Sequence, residues 1–115
     1  MAGLRKAGHK VETEIGLVLP GVPPVAARID ILARDPNGVL YGLEVKTGSD
    51  PTFTQGQRIV YPHAIGGAGV TSYDARIQSL GLTPGRPLPA FAIRVAYTRG
   101  PGESIEIVPL PAEPL

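Results

Sequence analysis

Alternating apolar and polar positions near the middle of the chain predict a β-hairpin. Residues 25–34 and 39–47 both alternate with a period of two, which is typical of strands. The segment Asp35-Pro36-Asn37-Gly38 lies between them and has the composition of a turn. Proline presets φ, and Gly38 can take the left-handed position of a bulged three-residue loop. The two arms are therefore expected to pair as antiparallel neighbours.

Shorter elements are expected on both sides of this hairpin. Three further strands are predicted, over residues 11–19, 91–98 and 104–110. Two helices are predicted, over residues 54–61 and 73–80. Thr52 or Thr54 can cap the first helix, and Pro62 is expected to kink or end it.

The remaining segments are expected to connect or flank these elements. Residues 1–10 form either the end of a helix or a frayed arm, and residues 65–70 a flexible loop. Turns are expected near residues 48–52 and 99–102. The order of three strands, a helix, a loop or helix and two strands predicts an α/β or α+β domain around one mostly antiparallel sheet.

Length, charge and composition exclude several classes of function. A chain of 115 residues is expected to form a single domain, and its formal net charge of +1 gives no bulk indication of nucleic-acid binding. The chain has no cysteine, which excludes disulfide scaffolds and cysteine zinc sites, and its two histidines are too few for a persuasive histidine site. No apolar run approaches the roughly 18 residues of a membrane span.

The hairpin carries charged residues where a core would be expected. The register of the turn places Asp30 opposite Glu44, and Lys46 projects from the same face of the sheet. Because both acids have apolar neighbours, we expect those neighbours to point into a core and the carboxylates to the opposite face. The alternative is a plain solvent face on which Lys46 and Arg28 form weak surface pairs with the acids.

These residue types suit a site for a divalent metal and a phosphate. Asp30 and Glu44 can hold Mg²⁺ or Mn²⁺, with the backbone carbonyl of Val45 as a further oxygen ligand. Such an ion would polarise the phosphorus–oxygen bond and lower the pKa of bound water. Lys46 can orient or deprotonate that water, or offset the charge that develops at phosphorus.

The predicted helix after the hairpin adds two candidate residues. Gln57 and Tyr61 are four positions apart, so they share a helical face and can bind a phosphate or a metal-bound water. The alternative is a surface glutamine and a core tyrosine. Arg58 and His63 can contact phosphates, and residues 66–69 can form an anion-binding nest. A solvated arginine, a structural histidine and a plain loop are the corresponding alternatives.

Taken in order, these residues resemble a known nuclease motif. Asp30, Glu44-Val45-Lys46 and Gln57-x-x-x-Tyr61 are similar to the PD-(D/E)XK superfamily, including the Gln-x-x-x-Tyr element of its RecB-like branch. The surrounding sequence further resembles nuclease toxin domains at the C-termini of bacterial polymorphic toxins and secretion-system effectors. The resemblance covers about residues 11–67.

This resemblance implies a restriction-endonuclease-like fold, with a central mixed sheet flanked by helices, and metal-dependent phosphodiester cleavage. DNA is the leading hypothesis for the substrate, with RNA as the alternative. The catalytic residues that the resemblance implies are Asp30, Glu44, Lys46, Gln57 and Tyr61. For the toxin members it implies delivery by a bacterial secretion system, action in the target-cell cytoplasm and an inhibitory immunity protein. Residues 1–115 would form one such domain, alone or as the C-terminal part of a larger toxin.

Two departures from the family pattern stand out. Ile29 replaces the proline before Asp30, and the family's first helix is short or absent. Glu12 or Glu14 on the first strand is the candidate for the additional carboxylate that this helix often carries. Competing hypotheses are a restriction or repair nuclease with the same chemistry, and a catalytically inactive nuclease-like module that binds a protein or a nucleic acid.

Overall fold

Five strands form one mixed sheet in the computed structural model, which describes residues 2–47, 52–98 and 106–111. The sheet order follows the chain, and every neighbouring pair is antiparallel except β3 and β4, which are parallel. The strands are β1 Lys10–Leu19, β2 Val25–Arg34, β3 Leu40–Thr47, β4 Ala92–Thr98 and β5 Glu106–Pro109. The prediction of an α+β fold around a mostly antiparallel sheet is confirmed.

Within residues 2–47, 52–98 and 106–111, three short helices accompany the sheet. They are α1 Ala2–Lys6, α2 Gln55–Ile65 and a 3₁₀ helix Ala75–Leu80. Of the two outcomes expected at Pro62, a kink or an end of the helix, the end is wrong, since α2 continues to Ile65 with Pro62 buried inside it. Proline removes one helical N–H, and burial of this segment against the core offsets that loss. No helix of the described residues is long and apolar enough to cross a membrane.

The hairpin between β2 and β3 has the predicted register. Its ladder runs from Arg34↔Leu40 to Ile31↔Leu43. At the turn, the Asp35 N–H donates to the carbonyl of Val39 at 2.9 Å, and Gly38 has a φ of +83°. The other predicted turns, at residues 48–52 and 99–102, lie almost wholly outside the described residues, as does the start of the predicted strand 104–110.

The two faces of the sheet are covered unequally. The main core lies on the side of α2 and the 3₁₀ helix, and includes Ile15, Ile29, Leu32 and Tyr61. A smaller cluster, against which Leu4 of α1 packs, lies on the other face. The members of this second cluster are Val11, Ile31 and Ala33, with Leu4, Tyr41 and Leu43 partly buried around them.

The alternation of β1 and β2 changes phase at Glu14 and Asp30. Glu14 has a φ of +53°, and the regular pairs Thr13↔Ile31 and Ile15↔Ile29 lie on either side of it. As a result, Ile29 packs in the main core whereas Ile31 packs in the second cluster. The expectation that both neighbours of Asp30 enter one core is therefore wrong.

Candidate active site

The ladder between β2 and β3 ends one residue short of Asp30 and Glu44. Its last pair is Ile31↔Leu43, and β3 continues to Thr47 paired only with β4. The Asp30 carboxylate takes the place of the missing backbone partner, because its Oδ2 accepts the N–H of Val45 at 2.8 Å. A notch therefore opens between the two strands, and we call it the β2–β3 notch. Helix α2 packs beside it against β2.

Glu44 is the buried centre of this site. Only 4% of the residue is exposed, and its carboxylate accepts hydrogen bonds from two residues of α2. Tyr61 donates its hydroxyl to Oε2, and Gln57 donates Nε2 to Oε1 at 3.2 Å. The expectation that both acids point away from the main core is wrong for Glu44. Its neighbour Leu43 packs in the second cluster and Val45 is 42% exposed, so the acid itself faces the helix.

Burial and the neighbouring carboxylates of Asp30 and Glu44 shift the pKa values of Glu44 and Tyr61. Burial raises the pKa of Glu44, and the negative charge of nearby Asp30 raises it further. The Tyr61 hydroxyl and the Lys46 ammonium act in the opposite direction. Burial and the adjacent Glu44 also raise the pKa of Tyr61, so its phenol stays protonated and acts as a hydrogen-bond donor.

Lys46 lies inside the site rather than on an open surface. Only 15% of its side chain is exposed, and its Nζ donates to Gln57 Oε1 at 3.1 Å. The same Nζ lies 3.9 Å from Glu44 Oε1. This placement contradicts the alternative of a solvated surface pair. Arg28 takes part through its backbone, because its carbonyl oxygen accepts from Gln57 Nε2 at 3.3 Å and lies 3.2 Å from the Tyr61 hydroxyl.

Gln57 serves both the start of α2 and the site. Thr54 caps the helix by accepting the Gln57 N–H at 3.1 Å, and Gln57 Oε1 accepts the Thr54 N–H at 3.0 Å. This is a capping box. The same Oε1 also accepts from Lys46, so the cap fixes the orientation of the amide that contacts Glu44. With 5% of the residue exposed, the alternative of a surface glutamine is wrong.

The sequence allowed Tyr61 to be either a site residue or a core aromatic, and the structure shows it in the core with its hydroxyl at the site. Its residue is fully buried in the main core, as expected of a core aromatic, and its hydroxyl still reaches the carboxylate of Glu44. The predicted pairing of positions 57 and 61 on one face of α2 is thus present in the structure, directed at Glu44.

Two residues that the sequence analysis did not single out shape the site. A Cβ on Gly56 would lie 2.1 Å from the backbone oxygen of Ala26, so only glycine lets the first turn of α2 approach β2 this closely. The Phe53 ring lies under Lys46, with Nζ 5.0 Å from the ring centroid. The available signals were a glycine directly before Gln57 and an aromatic residue directly before the helix cap.

The other candidate residues are exposed or contact other parts of the chain. Arg58 is exposed, and the His63 ring lies 2.8 Å from the carbonyl oxygen of Ile59 on its own helix. Glu12 accepts from Ser79 at 3.1 Å, and the carbonyl of Glu14 accepts from Arg76. Among the described residues no three acidic, histidine or cysteine side chains lie close enough to form a metal cluster. Within the described residues, neither Glu12 nor Glu14 therefore forms a three-carboxylate group with Asp30 and Glu44.

The donors gathered at the notch fit a hard divalent cation. Asp30 and Glu44 offer carboxylate oxygens close enough for Asp30 to raise the pKa of Glu44. The carbonyl of Val45 adds a third oxygen, because the N–H and C=O of one strand residue point to the same edge and this N–H faces Asp30. Oxygen donors of this kind suit Mg²⁺ or Mn²⁺.

Neither family models, nor curated proteins, nor solved structures gave a match to this chain. What the protein does has to be inferred from the residues of the notch and their contacts.

Proposed function

We propose that this protein is a metal-dependent nuclease that hydrolyses phosphodiester bonds of DNA. The observation that carries the proposal is the contact network around Glu44. Side chains from β3 and α2 meet at one buried carboxylate, and Asp30 of β2 lies beside it. Isolated surface charges do not bury and hydrogen-bond in this way, because a buried carboxylate is costly unless it has partners.

The proposed fold family is restriction-endonuclease-like. The mixed sheet with α1 on one face and α2 on the other agrees with that family, and so does the parallel pairing of β3 with β4 across α2. The resemblance of Asp30, Glu44-Val45-Lys46 and Gln57-x-x-x-Tyr61 to the PD-(D/E)XK motif supports the same assignment.

Each residue of the notch has a role in this proposal. Asp30, Glu44 and the Val45 carbonyl would hold Mg²⁺ or Mn²⁺, which when bound supplies Lewis-acid activation of a water and of the phosphate. Tyr61 and Gln57 donate to Glu44 and hold its carboxylate in one orientation.

Lys46 provides the positive charge next to the carboxylates. Its ammonium lies 3.9 Å from Glu44 and can stabilise the negative charge that develops on the phosphate oxygens. Arg28 and Arg58 are exposed and adjoin site residues in the chain, which suits contacts to neighbouring phosphates rather than to bases.

The decisive test is cleavage of a supercoiled plasmid by the purified protein. We expect nicking that requires Mg²⁺ or Mn²⁺ and stops in EDTA, and we expect Asp30→Asn to remove it. Glu12→Gln is the matched control, because it neutralises a carboxylate on the neighbouring strand outside the notch. A wild-type protein that binds DNA or a protein without cleaving would instead support the inactive binding module.

We further propose that the nuclease acts as a bacterial antagonism toxin in the target-cell cytoplasm, on the basis of the resemblance to toxin domains. A small acidic immunity protein would then cover the positive charge around Lys46. Induced expression should arrest growth and degrade chromosomal DNA, and Glu44→Ala should relieve both effects. Normal growth with an active purified enzyme would favour a restriction or repair nuclease over a toxin.

A further inference from the structure

The ring of Phe53 lies against the ammonium of Lys46, and we propose that it positions Lys46 for the reaction. This inference rests on the proposed nuclease function. Phe53 contacts Lys46 and Tyr61 and not the reacting atoms, so it is a positioning residue. Phe53 belongs to the segment just before α2. Its ring would be a third group next to the Lys46 ammonium, besides Gln57 and Glu44.

Three groups surround the ammonium. Gln57 Oε1 accepts a hydrogen bond at 3.1 Å, Glu44 Oε1 lies at 3.9 Å and the Phe53 centroid lies at 5.0 Å. Only the first of these is within ordinary hydrogen-bonding distance. The ring therefore adds a further close contact to the ammonium besides the hydrogen bond to Gln57.

A lysine needs such a contact to stay in one place. Its ammonium is a compact charge on a flexible four-carbon stem, with much rotamer freedom to lose. A cation within about 6 Å of an aromatic centroid is attracted by the ring quadrupole, and the attraction grows when the pair is desolvated. With 15% of the Lys46 side chain exposed, the pair is largely shielded from water.

The ring is itself fixed by the residue that holds Glu44. Phe53 packs edge-to-face on Tyr61, with centroids 6.3 Å apart and an interplanar angle of 81°. Tyr61 in turn donates to Glu44. The same aromatic pair therefore sets the positions of the carboxylate and of the ammonium, and keeps the two in a constant relationship.

Phe53 also packs partly buried against the main core, so its role as apolar bulk has to be separated from its role as a π face. Phe53→Tyr and Phe53→Trp keep the π face. Phe53→Leu keeps apolar volume and removes the face. If Phe53→Leu does not fold, Phe53→Met provides flexible apolar bulk in its place.

The first measurement does not depend on enzyme activity. The chain has only three lysines, Lys6, Lys10 and Lys46, so protein labelled with ¹³C at lysine Cε gives a simple NMR spectrum. Lys6 and Lys10 are exposed and serve as internal references. We expect the Lys46 resonance to lie upfield of the references through the ring current, to move to the reference position in Phe53→Leu and to stay upfield in Phe53→Tyr. A Lys46 resonance that Phe53→Leu does not move overturns the proposal.

The second measurement connects the contact to catalysis. Cation–π energies correspond to about a 2- to 30-fold change in rate, so we expect Phe53→Leu to lower kcat within that range with KM nearly unchanged. Phe53→Tyr should retain most of the wild-type kcat. An equal loss of kcat in both variants, or a loss that only follows a lower melting temperature, assigns Phe53 a purely structural role. If the wild type does not cleave DNA, the nuclease proposal fails while the NMR result still decides the contact.

Discussion

The carboxylate of Asp30 accepts the backbone N–H of Val45 at the point where β2 and β3 stop pairing. A side chain thus replaces a main-chain partner and holds the open end of the hairpin. Asparagine can keep this hydrogen bond, because its amide oxygen is also an acceptor. Asp30→Asn therefore removes the charge without removing the contact.

For metal binding we expect Asp30→Asn to weaken the affinity for Mg²⁺ or Mn²⁺ by about tenfold or more, because one of two carboxylate ligands loses its charge. Isothermal titration calorimetry of the wild type and the variant measures this. Glu12→Gln should bind as the wild type does, since Glu12 contacts Ser79 away from the notch. Equal affinity in Asp30→Asn would remove Asp30 from the metal site.

Lys46→Ala should abolish most of the hydrolysis and leave metal binding largely intact. Loss of a group that stabilises developing charge commonly costs on the order of 10²-fold or more in rate. Plasmid nicking under Mg²⁺ saturation measures the effect, with Lys10→Ala as the control for an exposed lysine. Full activity in Lys46→Ala would contradict the mechanism.

Glu44 should make the metal-free protein less stable as the pH rises. Its pKa is above the ordinary value of 4.5 in the folded state, chiefly through burial, so the folded protein holds this proton more tightly than the unfolded chain does. The resulting stabilisation is present below pH 4.5 and is lost as the pH rises through the folded pKa.

Glu44→Gln tests this linkage. The amide introduced by this substitution can still accept from Gln57 and can donate to the Tyr61 hydroxyl. That hydroxyl lies 3.2 Å from the Arg28 carbonyl oxygen and can donate there instead. Thermal unfolding in EDTA gives the melting temperature of the variant minus that of the wild type at each pH. We expect this difference to be larger at pH 7 than at pH 4. A difference independent of pH would show that the charge of Glu44 does not limit stability.

Gly56→Ala should damage both the fold and the activity. The added methyl would lie 2.1 Å from the Ala26 oxygen, which belongs to rigid backbone, so α2 must move away from β2. Overpacking of this kind typically costs about 1–3 kcal/mol, and the movement would displace Gln57. Urea denaturation and plasmid nicking measure the two effects. Gly16→Ala is the control, because a Cβ there meets nothing within 4 Å, and similar behaviour of the two variants would contradict the expectation.

The parts of the site that depend on local sequence were predictable. The turn at Asp35–Gly38 sets the register of the hairpin, and the spacing of Gln57 and Tyr61 places them on one helical face. Both relationships follow from chain geometry over a few residues. The predicted neighbours Asp30, Glu44 and Lys46 come together for the same reason.

The orientation of the acids was not predictable, because it depends on distant parts of the chain. Glu44 lies on the same face of β3 as Gly42, and this face is the one covered by the main core and α2, whose packing depends on tertiary contacts. The phase change at Glu14 and Asp30 also breaks the simple alternation on which the prediction relied. Phe53 and Gly56 act through tertiary contacts, which their positions next to the helix cap and Gln57 do not specify.

Gln57 both caps the start of α2 and contacts Lys46 and Glu44. Folding of the helix and assembly of the notch are therefore linked. Whenever the first turn of α2 unravels, Gln57 releases Thr54, Lys46 and Glu44 together. An incompletely folded chain would then hold two neighbouring acids without the network that orients them. The proposed nuclease site would form only when the first turn of α2 folds. A chain that passes through an unfolded state would therefore lack nuclease activity until folding is complete.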